Sequence, residues 1–104
     1  MATKRVYVYK DPGFFDSYRV FPPVIVIEQN DKFEVVNTVA DHDAFVTIPD
    51  GTFQGAAVKD EKVNKKSKSS TKTPNAGPIG VEYKIKVNGH DAKGNSDPVI
   101  IIDM

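Results

Sequence analysis

The apolar residues of this chain come in short runs broken by turn formers, and no segment carries the spacing of an amphipathic helix or repeats another. The stretch PPVIVIEQNDKFEVVN, beginning at Pro22, organises the rest. Its all-aliphatic run, Val24–Ile27, bounded by prolines and by Gln29, Asn30 and Asp31, has the pattern of a strand covered on both faces. Residues 32–36 resume a strand that closes on Asn37, so a hairpin in the middle of the core is predicted.

Upstream, residues 4–10 (KRVYVYK) alternate, with Val6 and Val8 on one face and Tyr7 and Tyr9 on the other. Asp11-Pro12-Gly13 reads as a turn, because proline presets its own φ and glycine accepts a positive one. Phe14, Phe15, Tyr18 and Phe21 follow in a loop expected to fold back over the core or an edge, ending at Pro22-Pro23. Downstream, residues 38–43 form a polar crossing loop, Ala44–Ile48 resumes strand character, and Pro49-Asp50-Gly51 turns the chain again. Residues 52–58 fit either a short strand or an extended loop. Residues 59–78, rich in lysine, serine and threonine, are predicted to be exposed and mobile, with one weak polar strand around residues 68–72.

Residues 81–87 give the clearest pattern: Val81, Tyr83, Ile85 and Val87 face one way, and Glu82, Lys84 and Lys86 the other. Such alternation predicts a strand with one packed and one wet face. A glycine-rich loop, residues 88–98, leads to Val99–Ile102, a second aliphatic strand expected to be buried on both faces. Seven to eight short strands at this spacing point to an all-β protein, a β-sandwich, and 104 residues make a single domain.

Charge changes this picture only locally. Fourteen Lys plus Arg balance fourteen Asp plus Glu, leaving no global field for nucleic acid or an anionic membrane. Lys59, Lys62, Lys65, Lys66, Lys68 and Lys72 against Asp60 and Glu61 make one segment basic. No aromatic residue lies between Phe53 and Tyr83, so the stacking platforms that accompany nucleic-acid binding are missing there and a solvated segment is expected. No run approaches the ~20 apolar residues of a membrane span. The opening MATKRVYVYKDPGF has no apolar core with a cleavage site. A cytoplasmic location is therefore expected, or a periplasmic or extracellular one if a leader has already been removed.

The absence of cysteine excludes disulfides, thiolate metal sites and cysteine nucleophiles. Serines fall in loops, and neither G-x-S-x-G nor H-E-x-x-H occurs. Gly89 and Gly94 bracket a loop with no helix after it to bind a phosphate. No catalytic residue, no cofactor and no enzymatic activity are expected.

In their order the elements resemble the cupredoxins, the plastocyanin-like sandwiches. The residues that carry the likeness are Pro23, VIVIE, Asn30-Asp31, KFEVVN and then His42, followed by YKIKV, NGHDAKGNSDP and a terminal VIIID. The resemblance covers most of the chain and implies a Greek-key β-sandwich with His42 and His90 in the two histidine places. The chain is especially similar to small bacterial cupredoxin-like proteins that end in such a strand and lack a copper site. A blue-copper centre needs a cysteine thiolate beside its histidines and, usually, an axial methionine. The position three before His90 is Val87, no methionine follows in the loop, and Met104 lies beyond the last strand. Blue-copper electron transfer is excluded.

Two functions fit these readings. One is a non-enzymatic binding or structural module, with an unidentified protein partner and no nucleic-acid or membrane partner. The other is weak binding of a divalent metal, copper or zinc, through His42 and His90 with help from Asp41, Asp43 or Asp91. An immunoglobulin-like sandwich in a larger assembly, such as a phage or secretion structure, is the architectural alternative.

Overall fold

Alternation of apolar and polar side chains translates directly into the first strand, β1 (Thr3–Lys10), where Val6 and Val8 are fully buried and Tyr7 is exposed. The computed structural model describes residues 2–13, 17–94 and 96–103, so Phe14 and Phe15 of the aromatic cluster, and Met104, lie outside the described residues. Within them there is no helix, and the strands number eleven against the seven to eight predicted. After β1 come β2 (Tyr18–Phe21), β3 (Val24–Ile27), β4 (Lys32–Asn37), β5 (Ala44–Ile48) and β6 (Val58–Val63). The rest are β7 (Ser67–Lys68), β8 (Ile79–Glu82), β9 (Lys84–Val87), β10 (His90–Asp91) and β11 (Val99–Ile102). The chain is all-β, in sheets ordered β2-β1-β4-β7, β10-β9-β5-β6 and β3-β11-β8.

The Asp11-Pro12-Gly13 turn forms as predicted, with the Gly13 N–H donating to Asp11 Oδ1 at 2.9 Å. The stretch after it is not all loop. Tyr18 and Val20 point inward and pair β2 antiparallel with β1, Val8 opposite Val20 and Lys10 opposite Tyr18.

The predicted central hairpin does not form. β3 runs parallel to β11, Val24 opposite Val99 and Ile27 opposite Ile102, whereas β4 runs parallel to β1 in another sheet. The polar turn between them is a crossing, held by Asp31, whose carboxylate accepts the N–H groups of Ala2 and Glu28 at 3.1 Å each. Nor is either aliphatic strand covered on both faces. Ile25, Ile27, Ile100 and Ile102 are buried, but Val24 is 49%, Val26 51% and Ile101 38% exposed. The reason is position: a three-stranded sheet with one face on the core leaves alternate side chains outside, whatever their polarity.

Residues 81–87 keep their alternation but not their unity. The run divides at Tyr83, β8 pairing with β11 and β9 with β5, so one extended segment serves two sheets. The Tyr83 N–H donates to the Pro98 carbonyl at 3.0 Å, carrying the β8–β11 ladder one residue further. Burial pushes the Tyr83 hydroxyl above the usual phenol range, and it lacks a hydrogen-bond partner.

The lysine-rich segment corrects the prediction most. It contains all of β6 but its first residue, paired with β5, and β7, paired with β4, and Lys72 bridges to Phe33. Val63, Ser69 and Lys72 are buried, the Lys72 ammonium meeting Glu61 Oε1 at 2.5 Å. Lys59, Lys62, Lys65, Lys66 and Lys68 are exposed as predicted. Side chains from all three sheets meet in one core, where Phe33 stacks on Phe53 at 5.2 Å and meets the edge of Tyr83 at 6.4 Å.

Candidate functional site

Asn37 ends β4 and is fully buried, so its amide must find partners inside. Its Nδ2 donates to the carbonyls of His42 and Val63, at 3.1 and 3.2 Å, and its Oδ1 accepts the Val39 N–H at 3.0 Å. One side chain thus fixes both the crossing loop 38–43 and the position of His42 in it. His90 is fixed differently. Asn88 and Gly89 both have positive φ, 52° and 76°, the backbone of a tight hairpin turn that joins β9 to β10. That turn sets His90 opposite Val87, itself the partner of Ala44.

Both imidazoles then pack on one ring. Tyr18 lies 6.5 Å from His42, edge-on at 70°, and 6.4 Å from His90 at 33°, measured between ring centroids. The sequence pattern marks the two histidines but not the tyrosine between their loops, because nothing in an isolated strand residue says which loops it will touch. Tyr18 is almost wholly buried, and its hydroxyl has no hydrogen-bond partner.

The flanking carboxylates do different things. Asp41 Oδ1 sits 3.0 Å from His42 Nδ1. That contact with His42, aided by Lys10, holds the Asp41 carboxyl below its ordinary range. Asp43 is engaged elsewhere: Oδ1 accepts the Lys65 N–H at 2.9 Å and Oδ2 lies 3.8 Å from Lys62 Nζ. Asp91 pairs across the ladder with Lys86 and leaves a buried Oδ1 without a partner. Among the described residues no group of three or more His, Cys, Asp or Glu side chains gathers to hold a metal.

An open groove of about 560 Å³ runs along Val36, Asn37 and Thr38 beside Lys66 and Lys68. The other prominent surface is apolar. Val24, Val26, Val99 and Ile101 occupy the outer face of the three-stranded sheet, with Glu82 opposite Val99. Phe21, 60% exposed, lies just before β3 in the chain. The sequence hides this surface, since an aliphatic run looks the same whether one face or two are covered.

Fold and sites together define an all-β protein of several sheets with one histidine-bearing end and one bare aliphatic face. No family model and no curated protein matches the chain.

Proposed function

We propose that this protein is a non-enzymatic binding or structural module with a cupredoxin-like, Greek-key sandwich fold and no blue-copper site. The fold reading draws support from the way the chain alternates between sheets: β2 and β3, β4 and β5, and β8 and β9 are neighbours in sequence but lie in different sheets. The functional reading rests on one observation, the outward-facing Val24, Val26 and Ile101 on a sheet face that leaves them exposed. Exposed apolar side chains that touch one another across a sheet are a contact surface for protein. A photo-crosslinking residue at position 26 tests this against one at position 66. Discrete protein adducts from position 26 alone support a binding role, and equal or absent adducts contradict it.

The second reading, weak divalent-metal binding through His42 and His90, is favoured by their shared contact with Tyr18. Two imidazoles without a thiolate make a modest site, completed by carboxylate and water. Copper(II) titration is expected to give no intense blue band, and any bound metal to leave as pH falls through the histidine range, since a protonated imidazole cannot ligate. Stoichiometric metal retained through dialysis, and lost in both His42→Ala and His90→Ala, makes this the primary function.

A further inference from the structure

A sheet edge is a template for another strand unless something guards it, and charged residues, bulges and short length are the usual guards. The described sheets have six edges, and five are guarded. β2 carries Arg19, β7 is two residues long and ends in Lys68, and β10 is a two-residue His-Asp. β8 contains Gly80 and Glu82. β6 carries Lys59, Asp60, Glu61 and Lys62, has Asp60 at φ 49°, and pairs with β5 through a register shift. The sixth, β3, is Val-Ile-Val-Ile in unbroken register with β11.

The pairable length of that edge can be read residue by residue. The carbonyls of Pro23 and Ile27 accept the N–H groups of Val99 and Asp103 at 2.9 Å each, so odd-numbered positions face β11. Even-numbered positions therefore face away. Of these, Pro22 has no N–H to give. Glu28 uses both backbone groups internally, donating to Asp31 Oδ2 and accepting the Asp31 N–H. Among the described residues Val24 and Val26 have no backbone partner on that side, and each offers one donor and one acceptor outward.

We propose that a second copy of this chain pairs antiparallel with β3, making a two-fold dimer through Val24 and Val26. The proposal rests on the binding-module reading and names its partner. A strand laid beside β3 must be apolar on the outer side, to continue Val24 and Val26, and apolar on the inner side, to continue Ile25 and Ile27. β3 run in reverse satisfies both. Val24 then faces Val26 of the other copy, Ile25 meets Ile25 on the two-fold axis, and four backbone hydrogen bonds close. Charge agrees with this register. Each Glu28 falls opposite the uncharged Pro22 of the other copy, and a formal net charge of +0 adds no long-range repulsion.

Sedimentation across a concentration series, with residue-resolved hydrogen exchange on the same samples, tests the proposal. The mass is expected to rise toward twice that of the monomer, with Val24 and Val26 amide exchange slowing in step. Val24→Lys and Val26→Lys, both on the exposed face, should keep the native spectrum yet weaken the dimer about tenfold or more. Ile101→Lys lies on the same face but not on the edge, and should leave association within about twofold. If Ile101→Lys abolishes the dimer as fully as Val26→Lys, the faces stack and strand pairing is wrong. A protein that stays monomeric but protects its Val24 and Val26 amides on adding a synthetic peptide of residues 22–30 assigns the edge to another protein's strand. That result overturns the dimer and spares the binding-module reading. A monomer that ignores the peptide overturns both.

Discussion

On β3 and β11 three of the eight aliphatic side chains are exposed, whereas in the lysine-rich segment, residues 59–78, a valine, a serine and a lysine are buried. The contrast shows that in a small all-β protein a residue's place in its sheet outranks its own polarity. β3 belongs to a sheet with only one face on the core, so its even-numbered side chains have nothing above them among the described residues. Lys72 bridges to Phe33, a residue of the aromatic core, and its ammonium reaches Glu61.

The largest expected effect breaks β3 into its two faces. Ile27→Ala, on the buried side, should cost about 2–5 kcal/mol in urea unfolding. Val26→Ala, one residue earlier, should cost about 1 kcal/mol or less, because its methyls are already half in solvent. Equal costs would mean that something covers the outer face.

These two residues also show what the sequence made legible. Alternation in residues 81–87 announces its own buried side, and Tyr83, Ile85 and Val87 are buried as predicted. Residues 4–10 are apolar on both faces, and their pattern does not say that Val6 and Val8 face the core. VIVI and VIII carry no alternation, so no periodicity can report which face is open. The partner of β3 is β11, at the far end of the chain, and the intervening turn looks like a hairpin although it is a crossing. His42 and His90 were visible as candidates. Their common contact, Tyr18, depends on three separate loops and strands meeting, and no local pattern encodes that.

The far end of the lysine segment supplies the next prediction. A methyl built on Gly77 would sit 2.5 Å from the Ile102 carbonyl oxygen, a backbone atom held in the β11 ladder. Gly77→Ala should therefore cost about 1–3 kcal/mol by forcing β11 and the segment apart. A neutral result would show that the segment is loosely attached, as its composition alone suggests.

Acid sharpens the comparison at the crossing between β3 and β4. Asp31 is held below the usual carboxylate range by the Glu28 N–H first and then by the Ala2 N–H. A depressed carboxylate contributes stability that is fully present above its unfolded value and is lost as pH falls through its folded one. Wild type should thus be more stable than Asp31→Asn at neutral pH. The difference should shrink as pH drops below the ordinary aspartate value of about 3.9. A gap that widens in acid would contradict the sign. The smallest effect belongs to the exposed lysines: replacing Lys65, Lys66 and Lys68 with serine should leave the unfolding midpoint unchanged and remove no oligonucleotide binding.

Because the chain has no cysteine, an introduced thiol is its only one, and labelling kinetics can report each face of β3 directly. Val26→Cys should react with a maleimide at nearly the rate of a free thiol, in monomer and in edge-paired dimer alike, since its side chain points away from the core. Ile25→Cys, under the same conditions, should react only as fast as the protein opens, slower by about two orders of magnitude or more. Comparable slow labelling at both positions would place β3 inside the protein and contradict the account.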